Sequence, residues 1–281
     1  MISLKAWAKV NIGLKILGKR EDGFHNIETT MTTINLADII QFEKTEAGIS
    51  LDAPSLDLPV AENLCYRAAK LFFKRFEIKQ GVHMKLIKNI PVGGGLGGGS
   101  SDAACVLKGL AQLFGLSASY EELFVLSKEL GSDVPFFLKG GAAYVRGRGD
   151  ELKYFKLPRM SLVIYYPGYP ISTKWAYEEY DRMALTPQPE MNRIIEEPEQ
   201  KKKKKRIDFK IQNDFEKVVF NKHPDLLDIK AQLLAAGAFL ISLSGSGSCL
   251  FTVVDEGIRK KVIKFLDGIG AKYFEVKTID F

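Results

Sequence analysis

From residue 6 to 16, apolar side chains fall on the even positions: Ala6, Ala8, Val10, Ile12, Leu14 and Ile16. The odd positions carry Trp7, Lys9, Asn11, Gly13 and Lys15. A two-residue period belongs to a strand with one face on a core, so this segment is expected to be a half-buried β-strand that places Lys9 and Asn11 on the same side. Asp22-Gly23 then signals a tight turn, and residues 31–43 read as another strand region. The period changes at Leu64, from where Leu64, Ala68, Phe72 and Phe76 share one helical face. Residues 83–90 read as a strand that ends at Pro91. A glycine-rich stretch follows and leads into a helix over about 101–114, with Ala103, Val106, Leu107, Leu110 and Phe114 facing inward. Ser119 followed by Glu122 is a capping box that opens a helix ending near Gly131.

The second half reads as a strand over 161–166, then helix 225–236, strand 239–243, strand 249–254, helix 256–266 and strand 273–279. This mixed order suggests an α+β C-terminal domain, and no internal repeat is visible. At about 150 residues per domain, a 281-residue chain suggests two domains, expected at 1–157 and 158–281. Between 187 and 206 the composition turns to Pro, Glu, Gln and Lys with almost no apolar residues, the pattern of a surface loop or insertion.

Composition narrows the function classes. With 46% apolar and 26% charged residues the chain is that of a folded protein, not a disordered or collagen-like one. Cys65, Cys105 and Cys249 are scattered and odd in number, against both a disulfide framework and a structural zinc site. His25, His83 and His223 are equally scattered, so no protein-built metal centre is expected. The net charge of +6 suggests nucleic acid, but six of the basic residues form the single run 201–206; without it 34 basic residues stand against 34 acidic ones. A nucleic-acid face would spread its basic residues over the fold, so neither nucleic acid nor, with no apolar run near 20 residues, a membrane is an expected partner. Lys5, Lys9 and Lys15 interrupt the apolar N-terminus as a signal core, which makes the cytoplasm the expected location.

The segment Pro91, Val92, Gly93, Gly94, Gly95, Leu96, Gly97, Gly98, Gly99, Ser100, Ser101 holds six glycines in seven residues. So much bare backbone costs folding entropy. It leads directly into a helix, whose N-terminal N–H groups and dipole make an anion site, and Ser100 and Ser101 add hydroxyls for a cap, a phosphate or its metal ion. A flexible linker is the plain alternative, but linkers seldom join a strand to an amphipathic helix. A Walker A site fails for want of a following Lys-Ser/Thr. Gly93-x-Gly95-x-x-Gly98 matches the dinucleotide pattern, yet Glu121 and Glu122 fall in a helix where a Rossmann site needs an acidic strand end. No HRD or DFG is present for a protein kinase.

This segment resembles the phosphate-binding motif of the GHMP kinases, the family of galactokinase, homoserine kinase and mevalonate kinase. Two further segments match in order: Ala8-Lys9-Val10-Asn11-Ile12-Gly13-Leu14 and Leu243-Ser244-Gly245-Ser246-Gly247-Ser248. Within the family the chain is most similar to the branch that phosphorylates the 2-hydroxyl of a cytidine diphosphate-linked methylerythritol in non-mevalonate isoprenoid synthesis. That likeness rests on Asp22-Gly23-Phe24-His25, Glu62-Asn63-Leu64, Gly131-Ser132-Asp133-Val134-Pro135-Phe136-Phe137 and Asn213-Asp214-Phe215-Glu216, with Phe24 where Tyr is common and Ser132 where Ala is common. It covers nearly the whole chain outside 187–206.

The resemblance implies the two-domain GHMP α+β fold with a cleft between domains, and ATP with Mg²⁺ as the phosphoryl source. It makes Asp133 the general base and Lys9 its charged neighbour, where the residues alone leave open an N-cap aspartate and a surface lysine. It puts Asn63, Lys88 and the glycine loop on ATP, and Asn11, Phe24, His25 and Tyr177 on the acceptor, with Phe24 and Tyr177 as faces of a cytosine slot. Alternatives are another GHMP kinase of mevalonate or homoserine type, a non-catalytic nucleotide-binding protein, and an RNA-binding protein using 201–206.

Overall fold

The structure, a computed structural model, describes residues 1–184 and 211–280. The polar stretch 187–206, with its basic run, lies outside the described residues. Two long antiparallel strands, β1 (Ile2–Lys19) and β2 (His25–Thr45), form the spine. Their connection is the expected turn: the Arg20 N–H donates to the Phe24 carbonyl, and the Asp22 carboxylate accepts from the Phe24 N–H and the Arg20 guanidinium. Gly23 there has φ +83°, a conformation that favours glycine. After β3 (Ile49–Asp52) come α1 (Leu64–Phe76), β4 (Gly81–Ile87), α2 (Gly98–Phe114), α3 (Tyr120–Leu130), α4 (Val134–Lys139), β5 (Ala142–Arg146) and β6 (Glu151–Phe155). The first sheet runs β3-β4-β2-β5-β6, with β1 added along β2.

Helices α1 to α4 cover one face of this sheet, around Phe42, Phe72, Met84, Leu107 and Phe136. Each such fully buried side chain contributes about 1.5–3 kcal/mol by leaving water. The second half adds β7 (Ser161–Tyr166), α5 (Thr173–Ala184), α6 (Phe215–Lys222), α7 (Pro224–Ala235), β8 (Ile241–Leu243), β9 (Leu250–Val254), α8 (Glu256–Gly268) and β10 (Lys272–Lys277). Its sheet runs β10-β7-β9-β8. A third apolar cluster joins the halves, packing Ala8, Val10, Ile34 and Ile90 against Leu162, Ile164, Phe251 and Val276.

Most expected elements are present with shifted ends. The strand expected over 83–90 stops at Ile87, because Asp38 takes the N–H groups of Asn89 and Ile90 out of the sheet ladder. The helix expected from 101 starts three residues earlier, at Gly98. The strand expected over 239–243 is confined to Ile241–Leu243. The capping box holds as read, with the Ser119 hydroxyl and the Glu122 backbone and carboxylate reciprocally bonded. The surface reading of Lys9 does not hold: Lys9 and Asn11 are 3% and 1% exposed, because loops from both halves close over that face of β1.

Candidate active site

A cavity of about 840 Å³ opens where the glycine loop, β1 and α5 meet. The loop is pinned between the two halves. The Gly93 carbonyl accepts from the N–H groups of Ile171 and Ser248, and the Gly94 carbonyl from that of Cys249. The Gly95 carbonyl accepts from the Ser244 hydroxyl and the Lys9 ammonium, both at 2.9 Å. Two glycines are enforced by close approach. Gly95 has φ +76°, and a Cβ there would lie 1.9 Å from the Ser244 carbonyl oxygen. Gly97 has φ +70°, and its Cβ would lie 2.7 Å from the Phe137 ring. The bared backbone ends at the first turn of α2, whose leading N–H groups have no intrahelical partner and carry the positive end of the helix dipole. Pro91 to Ser100 line the cavity; the Ser101 hydroxyl does not, because it donates to the Trp7 carbonyl at 2.7 Å on the far side of the helix.

The Lys9 ammonium lies at the centre. It donates to Asn11 Oδ1 and to the Gly95 carbonyl, and stands 3.7 Å from Asp133 Oδ2. Burial lowers the Lys9 pKa from its ordinary value, partly offset by the Asp133 charge. The Asn11 amide group in turn donates to the Thr29 hydroxyl at 3.0 Å. Asp133 occupies the N-cap position of α4, yet its side chain makes no capping bond, so the carboxylate is directed into the cavity.

Lys88 and Asn63 line the same cavity, but their polar ends have structural partners. The Lys88 ammonium is gripped by Asp38 and by Asp102, the latter at 2.7 Å. Burial opposes the Lys88 charge, and the two carboxylates outweigh it and raise its pKa. Burial likewise raises the Asp102 carboxyl despite Lys88. Through Asp38, this buried cluster fixes the strand end that launches the glycine loop. Asn63 caps α1 by accepting from the Cys65 N–H.

At the other end of the cavity, Phe24 is 48% exposed, with the Arg148 guanidinium carbon 4.1 Å from its ring centroid. Tyr177 does not simply oppose Phe24 across an open slot, as the sequence suggests. Its ring is stacked on His25, centroids 4.5 Å apart and planes 14° apart, and meets Phe215 edge-on. His25 Nε2 is 2.6 Å from Asp181 Oδ1, and Lys19 Nζ is 2.6 Å from Asp181 Oδ2.

Asp181, Lys19 and Arg148 line the cavity without having been singled out from the sequence. The available signal was four-residue spacing: Thr173, Tyr177 and Asp181 share one face of α5. Asn213, Asp214 and Glu216, noted only as matching residues, prove to be a brace. Asn213 donates to the carbonyls of Leu243 and Gly245, Asp214 accepts from the Ile16 N–H, and Glu216 accepts from the Leu243 N–H. Together they hold the Ser-Gly loop over β1.

Family models for the GHMP kinases N terminal domain and the GHMP kinases C terminal match residues 63–141 and 188–271. The chain is 38% identical over 280 residues to the 4-diphosphocytidyl-2-C-methyl-D-erythritol kinase of Clostridium beijerinckii, covering 98% of each. It is similar to the crystal structure of a 4-(cytidine 5'-diphospho)-2C-methyl-D-erythritol kinase, with TM-score 0.79 and 32% identity over 99% of both chains. The Methanococcus jannaschii mevalonate kinase shares the fold, with TM-score 0.66 at 15% identity over 99% of this chain and 98% of that one.

Proposed function

This chain belongs to the GHMP kinases, and from that premise we propose that it transfers the γ-phosphoryl group of ATP to the 2-hydroxyl of 4-diphosphocytidyl-2-C-methyl-D-erythritol. The observation that carries the proposal is the pairing of Asp133 with the buried Lys9 ammonium, 3.7 Å apart, in one cavity that runs from the glycine loop to His25 and Tyr177. A phosphoryl donor belongs at one end, a nucleotide-bearing acceptor at the other, and the reacting hydroxyl between them.

Phosphoryl transfer needs the phosphates held, the acceptor aligned and a route for its proton. The free N–H groups at the start of α2 hold the phosphate oxygens, reinforced by the helix dipole. The acceptor oxygen bonds to the γ-phosphorus as the bond from that phosphorus to the β,γ-bridging oxygen breaks, releasing ADP. The hydroxyl proton passes to the Asp133 carboxylate. The Lys9 ammonium, 3.7 Å from that carboxylate, stabilises the charge developing on the acceptor oxygen. Asn11 and the Gly95 carbonyl fix the ammonium in place, so little reorganisation accompanies the step.

Mg²⁺ bound with ATP would neutralise part of the phosphate charge. Among the described residues no group of three or more His, Cys, Asp or Glu could hold a metal ion. Oxygen donors lining the loop's end of the cavity include the Ser100 hydroxyl and the Asp133 carboxylate, hard oxygens that suit an ion held mainly by phosphates. Asn63 and Lys88 would border the adenine; Phe24, His25 and Tyr177 would border the cytosine. The division at 157/158 puts all strands of the first sheet in one domain and all strands of the second in the other. Among the described residues no helix is long and apolar enough to cross a membrane.

ADP release with the cytidine diphosphate acceptor, set against mevalonate, homoserine and galactose, tests the reading. The cytidine acceptor is expected to exceed the others in kcat/KM by at least about a hundredfold, the selectivity of a site that hydrogen-bonds its ligand. Equal or greater turnover of mevalonate or homoserine would reassign the acceptor.

A further inference from the structure

A second cavity, of about 210 Å³, lies behind the reacting pair. Its walls include Lys5 and Trp7 of β1, Ser101 and Lys108 of α2, and Phe137 and Lys139 of α4. Phe137 is the partition from the large cavity, because a Cβ on Gly97 there would meet its ring at 2.7 Å. Beside it, the Ser101 hydroxyl ties the first turn of α2 to the Trp7 carbonyl. Three lysines and no carboxylate line this pocket. Elsewhere an inward lysine finds an acid: Lys88 sits between Asp38 and Asp102, and Lys230 meets Glu216. Here, among the described residues, none of the three forms an ion pair. Lys5 Nζ rests 5.1 Å from the Trp7 ring centroid and Lys139 Nζ 4.4 Å from that of Tyr154. A ring face holds an exposed ammonium only weakly, so both are free to turn to an anion. Lys108 Nζ donates to the carbonyls of Phe137 and Leu138, at 3.0 and 3.4 Å, and keeps its third hydrogen uncommitted.

We propose that this pocket is a second anion site, separate from the glycine loop, and that it takes the diphosphate group of a small molecule. A phosphate monoester brings about two negative charges and a diphosphate brings more, so three converging ammonium groups favour the diphosphate. Lysine suits such a ligand as a point charge on a flexible stem, able to leave an aromatic face and close on a phosphate oxygen. The Trp7 and Phe137 rings give the pocket an apolar wall for the ligand's organic part. A quarter of the large cavity's volume, the pocket suits a ligand smaller than a nucleotide. The proposal holds whichever acceptor the large cavity takes.

The chain has two tryptophans, so Trp175→Phe leaves Trp7 as the sole indole and its emission reads this pocket. In that background, with a non-hydrolysable ATP analogue saturating the glycine loop, inorganic pyrophosphate, phosphate and sulfate are titrated in turn. Equilibrium dialysis counts the sites. Pyrophosphate is expected to draw Lys5 off the indole, to change Trp7 emission saturably, and to bind at least about tenfold more tightly than phosphate or sulfate. Added salt should weaken it, as for any exposed charge contact. Lys139→Glu, an exposed position resting on Tyr154, should weaken pyrophosphate at least about tenfold while kcat and the ATP KM stay within about twofold of the parent. Lys5→Gln, followed by dialysis alone, should weaken it in the same direction. No pyrophosphate bound beside the ATP analogue, equal affinity for the three anions, or binding that Lys139→Glu and Lys5→Gln leave unchanged would each overturn the proposal.

Discussion

At 3% exposure, the Lys9 ammonium is kept charged by neighbours rather than by water: Asn11 and the Gly95 carbonyl accept its hydrogens and Asp133 lies 3.7 Å away. Removing Asp133 leaves the buried Lys9 charge without its counterpart, which costs more than losing a surface ion pair would. Asp133→Asn keeps the shape and removes the base, and Lys9→Met keeps the length and removes the charge. Each is expected to lower kcat by about a hundredfold or more, the scale of losing a general base or a charge stabiliser, with ATP affinity little changed. Single-turnover kinetics with calorimetric ATP binding check this, and near-parental kcat in Asp133→Asn would remove the base assignment. The alternation along 6–16 was enough to put Lys9 and Asn11 on one face, but not to tell whether that face meets water. What buries it arrives from Gly95 and Ser244, far away in sequence. The His25–Asp181 pairing, across 156 residues, was hidden from local patterns for the same reason.

At the scale of elements, the glycine loop is a joint between the two halves. Its carbonyls receive hydrogen bonds from Ile171, Ser244, Ser248 and Cys249, all in the second half of the chain. Gly95→Ala would force a methyl group into the Ser244 carbonyl at a positive φ, so the loops must separate. Strain of this kind costs on the order of 1–3 kcal/mol. The variant is expected to melt several degrees lower and to lose at least tenfold in kcat/KM for ATP, as read by calorimetry and steady-state kinetics. Parental values for both would show that the joint is slack. Helices α1 and α3 were legible because their apolar stripes and caps are local. Helix α4 was not: Val134 to Leu138 is buried on every side, so it shows no period and reads as a turn. Helix α5 was missed because the face it packs inward, Ala176, Tyr177, Tyr180 and Met183, is mostly aromatic rather than aliphatic and is interleaved with charged residues.

For the whole molecule, three apolar clusters matter: one under each sheet and one in the seam between them. The seam packs β1 and the glycine loop against β7 and β9, and the cavity opens beside it. The glycine loop comes from the first half, the opposite end of the cavity combines Phe24 and His25 of the first half with Tyr177 of the second, and Lys9 and Asp133 come from β1 and the start of α4. The two-sheet plan followed from element order and resemblance, while the seam depends on long-range pairings that no window of sequence displays. The central claim is that this one cavity joins ATP to the tertiary hydroxyl of a cytidine diphosphate-linked acceptor. Phosphorus NMR of the reaction with equimolar ATP and acceptor tests it most directly. The account predicts one new phosphomonoester signal, on the 2-hydroxyl carbon, growing in equal proportion to ADP with the acceptor's diphosphate left intact. ADP formed without that monoester, or a phosphate carried on a different hydroxyl, would contradict it.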